Sequence, residues 1–148
     1  MSKKPDAPAA FVYRIARVTR VVDGDTLDVI FDLGFDVQLK QRIRMFGIDT
    51  PESRTKDKEE KVFGLASKKF LKDAVANANE LVCKTHVADA RGKFGRVLGE
   101  VWCDGVNINS KMIEEGHAVA YYGENKDKVA QQHLKNRQRL INEGKVKV

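Results

Sequence analysis

Two periodicities divide this chain. From residue 11 to 48 the apolar positions follow a strand pattern. Residues 12–22 are rich in β-branched side chains and partly alternate, 26–31 resume the pattern after Gly24, and 37–48 run back after Asp32-Leu33-Gly34. This predicts a meander of three antiparallel strands. Thr50-Pro51-Glu52 interrupts the pattern, and the polar, lysine-rich residues 53–61 read as an exposed loop. Past Gly64 the period changes: Leu65-Ala66, Phe70-Leu71, Ala74-Val75 and Ala78 recur at helical spacing. Residues 80–88 and 97–103 read as a hairpin across a loop over 90–95. Residues 107–115 read as a second helix stopped by Gly116, a residue suited to a left-handed cap. A third runs over 126–143, with Val129, Leu134, Leu140 and Ile141 on its apolar face and Gly144 at its end. Five strands with a helix between the third and fourth is the order of an OB-fold barrel. The expected architecture is therefore α+β: a five-stranded OB-type barrel carrying three helices. Its expected limits are a disordered leader over 1–10, one domain over 11–144 and a tail over 145–148.

Composition narrows the class. At 148 residues, 42% hydrophobic and 32% charged, the chain suits one soluble globular domain. No apolar run approaches the roughly 18 residues of a membrane helix, so no membrane association is expected. The first ten residues lack the apolar core of a signal peptide. The expected location is inside the cell, or outside it by a route not visible in the chain. Cys83 and Cys103 lie in strand-like runs and are read as buried free thiols. The scattered His86, His117 and His133 lack the spacing of a zinc site. A formal charge of +6 and a pI near 9.3 favour a polyanionic partner. The excess is concentrated: residues 126–148 hold seven lysines and arginines against two acids, and this run is expected to meet phosphate.

Four short motifs carry the chemistry: Asp23-Gly24-Asp25-Thr26, Arg42-Ile43-Arg44, Asp49-Thr50-Pro51-Glu52 and Phe94-Gly95-Arg96. Asp25 opens one strand after a glycine turn and Asp49 ends another, so neighbouring strands would bring both carboxylates to one barrel rim. Glu52 lies three residues further on, past a stiffening proline. Such an oxygen set holds a hard divalent cation, and a loop-built, water-rich site suits calcium better than magnesium. Arg42 and Arg44 share one strand face, and Arg96 opens the fifth strand. Arginine forks clamp phosphate oxygens and offset charge as it develops. Acids alone could clip calcium, and arginines alone could bind a strand; together they point to phosphodiester cleavage.

With these motifs in place, the chain resembles the staphylococcal (micrococcal) nuclease family, from about Val18 to about Leu140. Val22-Asp23-Gly24-Asp25-Thr26, Gly47-Ile48-Asp49-Thr50-Pro51-Glu52 and Lys93-Phe94-Gly95-Arg96 carry the likeness, with a weaker echo in Gln132-His133-Leu134. The resemblance implies a calcium-dependent phosphodiesterase that cuts DNA and RNA to leave 3′-phosphates. Asp25, Asp49 and the Thr50 carbonyl would ligate the metal, with Asp23 just outside the ligand set. Glu52 would serve as general base, and Arg44 and Arg96 would bind phosphate. Lys93, Phe94, Tyr121 and Tyr122 would contact substrate, with the protein acting as a monomer. Phe94 stands where the family commonly has tyrosine, and the segment over 27–40 is longer than usual. A non-catalytic nucleic-acid-binding OB module is the alternative, and a calcium-binding structural domain a third reading.

Overall fold

The chain closes a small barrel by pairing strands that are distant in sequence. The computed structural model describes residues 9–86, 97–123 and 125–147. Its elements are β1 (Ala9–Asp23), β2 (Thr26–Asp32), β3 (Gln38–Met45), β4 (Ile48–Asp49), α1 (Lys58–Ala76), β5 (Leu81–His86), β6 (Val97–Cys103), β7 (Val106–Asn107), α2 (Ile108–Glu114), β8 (Val119–Ala120) and α3 (Lys126–Asn142). The main sheet runs β3-β2-β1-β5-β6-β7, and a parallel β3–β6 pairing, Ile43 opposite Val97 and Met45 opposite Gly99, seals it. The result is the expected closed five-stranded barrel with three helices. Long β1 serves two neighbours by bending: its register against β2 shifts between Ile15 and Arg17, Val18 and Arg20, and Val21 and Asp23. Such bulges coil a strand enough to close a sheet.

Leu27, Val29, Ile43, Met45, Cys83 and Val101 fill the barrel, and Leu71 of α1 with Met112 of α2 packs against them. Both cysteines are buried and unpaired. Burial pushes the Cys83 thiol up to about 12 and the Cys103 thiol up to about 11, so each packs as a small hydrophobe. Phe63, Leu140 and Val146 form a second, smaller cluster joining α1, α3 and the segment after it. Val146 is thus packed, beyond the expected domain limit at residue 144. Among the described residues, no helix is long and apolar enough to cross a membrane.

Two local expectations need correction. The first helix starts at Lys58, inside the segment read as a loop. Asp57 caps it, its Oδ1 accepting from the Glu59 and Glu60 amides at 3.1 Å each. This first turn is solvated and lacks an apolar stripe, so periodicity misses it, whereas the cap carries the signal. The third strand breaks at Phe46-Gly47, where Gly47 takes φ +79°. That turn frees Ile48–Asp49 to pair with Val119–Ala120 instead of continuing along the barrel.

Candidate active site

One end of the barrel gathers the acidic motifs. Asp25 sits in the β1–β2 turn, and its backbone carbonyl accepts from the Met45 amide at 2.8 Å, tying the turn to β3. Asp49 lies on β4, directed there by the Gly47 turn. Between them reaches Arg44 from β3. Its guanidinium is fixed by two carbonyls, Nη1 donating to Met45 at 2.8 Å and Nη2 to Ile48 at 2.9 Å. Nη2 also lies 3.4 Å from Asp25 Oδ2 and 3.9 Å from Asp49 Oδ1. A cleft of about 220 Å³ opens here, lined by Asp23, Asp25, Thr26, Arg44, Asp49, Thr50, Pro51 and Glu52.

Asp25, Asp49 and Asp23 are each oriented by a neighbour. Thr26 Oγ1 donates to Asp25 Oδ1 at 2.9 Å, and the Thr50 amide donates to Asp25 Oδ2 at 3.3 Å. His133, on α3, hydrogen-bonds Asp49 Oδ2 through Nε2 at 2.8 Å. Asp23 accepts from the Ser53 hydroxyl and lies 3.8 Å from Arg54 Nη2, pinning the loop that follows Asp49. Glu52 is exposed at the cleft edge, and its backbone amide donates to Glu60 Oε2 at 3.1 Å.

Helix α1 holds both acidic turns from behind at unusually close range. A Cβ on Gly64 would stand 2.1 Å from the Glu52 carbonyl oxygen, and one on Gly24 would stand 2.8 Å from Ser67 Cβ. Only hydrogen fits at either place.

The donor set suits a hard cation. It consists of carboxylate, carbonyl and hydroxyl oxygens, including the buried Thr50 Oγ1, which has no hydrogen-bond partner. Among the described residues no three His, Cys, Asp or Glu side chains converge into a cage. A cation here would therefore take two carboxylates, Asp25 and Asp49, and complete its shell with carbonyl oxygen and water. Calcium's flexible geometry tolerates that arrangement.

The remaining sequence-derived residues divide. Tyr121 and Tyr122 line a neighbouring cleft of about 310 Å³ that shares Arg44 with the acidic one. The Tyr122 ring lies 5.5 Å from Phe46, and the Tyr121 amide donates to the Gly47 carbonyl at 2.9 Å. Arg42 stays outside, its Nε 2.7 Å from Asp28 Oδ1. Lys93, Phe94 and Arg96 lie outside the described residues. His133 and Glu60 are partners that the motif reading missed. Only the Gln132-His133-Leu134 echo pointed to His133, and nothing in the sequence placed it against Asp49.

The chain is similar in sequence to several known proteins. The family profile described as "Staphylococcal nuclease homologue" matches residues 42–146. An uncharacterized endonuclease of Escherichia coli is 36% identical over 114 residues, 76% of this chain and 65% of that protein. The SPbeta prophage-derived endonuclease YokF of Bacillus subtilis is 33% identical over 125 residues, 84% of this chain and 40% of that protein. A thermonuclease of Staphylococcus intermedius is 33% identical over 111 residues, 75% of this chain and 62% of that protein. The chain thus spans less than two-thirds of each of these relatives.

Proposed function

The chain belongs to the staphylococcal nuclease homologues, and from that premise we propose that it is a calcium-dependent nuclease cutting DNA and RNA with little sequence preference. The observation that carries this reading is the meeting of Asp25, Asp49, Arg44 and Glu52 around one polar cleft. In it Asp25, Asp49 and the Thr50 carbonyl would hold calcium. When bound, the cation adds positive charge beside the scissile phosphate and acidifies nearby water.

The chain's own groups do the rest. Arg44, clamped by two carbonyls, presents a preorganised positive charge at the cleft. Losing one such donor typically costs about 10²–10³ in rate. Glu52 sits at the open edge, where it orients the attacking water and accepts its proton, a contribution of about 10²–10⁴. Water oxygen bonds to phosphorus as its proton passes to Glu52, the P–O5′ bond breaks, and the departing 5′-oxygen takes a proton from solvent water. The products are a 3′-phosphate and a 5′-hydroxyl. In this reading Arg96 also binds the phosphate and Lys93 and Phe94 contact substrate, while Asp23 steadies the acidic loop. His133 holds Asp49 in its ligating orientation. Tyr121 and Tyr122 offer the adjoining cleft to an unpaired base, where stacking contributes about 1–3 kcal/mol. Nothing in these motifs reads base edges, so single strands and easily opened A·T-rich duplex are cut fastest.

The test is plasmid nicking and RNA cleavage with calcium, then with excess chelator, followed by end-group analysis of the fragments. Calcium-dependent cuts ending in 3′-phosphate are expected. Cleavage undiminished by chelator sinks the metal assignment, and binding without cleavage makes the chain a nucleic-acid-binding module.

A further inference from the structure

The outer face of β1, β2 and β3 carries charge that the cleft does not use. The strand register arranges it in rows. Asp23, Thr26 and Arg44 form the row nearest the cleft, followed by Arg20, Asp28 and Arg42. Beyond them come Arg17, Ile30 and Lys40, then Arg14, Asp32 and Gln38. Leu27, Val29, Phe31 and Ile43 point into the barrel, so the alternate positions in β2 and β3 point outward. The bulges of β1 bring Arg14, Arg17 and Arg20 onto this same face despite their spacing of three in sequence. Beyond the cleft row the face holds five cations against two carboxylates, Asp28 and Asp32.

Arg14, Arg17, Arg20 and Lys40 are exposed and form no salt bridge among the described residues. Asp28 is held below its usual pKa by the Arg42 hydrogen bond first, with Arg20 and Lys40 adding to the effect. These cations therefore act on one shared patch. The C-terminal cations expected to meet phosphate are partly engaged elsewhere: Arg137 with Glu59, Arg139 with Glu143, and Lys145 with Glu115 and Glu143.

We propose that this face is a track for the nucleic-acid backbone flanking the cut. On this track the row of Arg20 and the Asp28-paired Arg42, then the row of Arg17 and Lys40, meet successive phosphates of the strand whose scissile phosphate lies at Arg44. The assignment rests on the nuclease reading for the position of that phosphate. Its own support is the continuity of rows with the cleft. Outward residues two apart on a strand lie about 6.7 Å apart, a spacing comparable to the phosphate repeat of an extended single strand. Long flexible cations over a sheet bind phosphate without reading bases, as expected of a sequence-tolerant contact.

The measurement is binding of single-stranded DNA, short (about four nucleotides) and long (about 20), in chelator and at several salt concentrations. The chain is compared with Arg17→Gln/Lys40→Gln and with Lys128→Gln/Lys135→Gln, an equal charge change on α3. The first variant should lose about tenfold affinity for the long strand but little for the short, and its salt slope should fall by about 1.4. The α3 variant should lose less. Equal losses in both variants would leave only net charge and overturn the track, as would an unchanged preference for long strands. Length-dependent binding that Arg17→Gln/Lys40→Gln abolishes, in a protein that cuts nothing, would keep the track and reject the nuclease.

Discussion

Arg44 is fixed by its own backbone neighbours more than by its charges. Two carbonyls hold the guanidinium at 2.8 and 2.9 Å, leaving it aimed between Asp25 and Asp49. Lysine keeps the charge but has no fork to satisfy both carbonyls and phosphate. Arg44→Lys should lower kcat about 10²–10³-fold with an unchanged circular dichroism spectrum. Near-normal turnover would make Arg44 a surface cation. His133 offers a parallel case at Asp49. Groups that orient a ligating carboxylate typically contribute 10–100-fold to metal affinity. His133→Ala should weaken calcium binding by about that factor in calorimetry, with His133→Gln recovering part of it. Equal affinity in all three proteins would make the contact merely structural. Asp25, Asp49 and Arg44 were legible in the sequence because glycine turns and strand ends mark the rim. His133 was not, because its partner lies 84 residues away and a lone histidine on a helix carries no spacing signal.

At the scale of elements, α1 is the back wall of the site. Gly64 lies inside the helix, where alanine would normally be favoured by about 1 kcal/mol. Here a Cβ meets the Glu52 carbonyl at 2.1 Å and the Ser53 amide at 2.6 Å, both backbone atoms with little room to yield. Gly64→Ala should therefore destabilise the fold by about 1–3 kcal/mol in urea titration and reduce turnover by displacing Glu52. A stabilised variant would show that the loop moves freely. In the sequence Gly64 marked only the region of a helix start, since close approach of backbone leaves no trace in periodicity. The β4–β8 pair was equally hidden, because two-residue strands fall below the length at which alternation has meaning. The barrel strands and the ends of α2 and α3 were legible for the opposite reason: they are long or closed by Gly116 and Gly144, both at positive φ.

Across the whole molecule, the small cluster of Phe63, Leu140 and Val146 seats α3 against α1. Removing residues 145–148 would expose this seam and lower stability by about 1.5–3 kcal/mol, measured by urea titration. No change would mean the segment after Gly144 is a passive tail. Acid should act through His117. Its ring is buried against Phe70 and its Nδ1 has no hydrogen-bond partner. Burial first, then the charges of Lys145 and Arg139, hold its pKa below the ordinary value, with Glu115 opposing. The unfolded chain, titrating near 6.5, then binds the proton more readily than the native one. Stability should fall as pH drops below about 6.5, and His117→Leu should flatten the thermal midpoint between pH 7 and 5.5. An equal slope in both proteins would exonerate this residue.

The Asp49–His133 contact has a further consequence, in time. A chain leaving the ribosome displays Asp25, Arg44, Asp49 and Glu52 long before α3 emerges. Until that helix docks, no imidazole steadies Asp49 and no Phe63–Leu140 seam holds the back wall. Placing this support 84 residues beyond Asp49 postpones an ordered site until α3 has been made and docked.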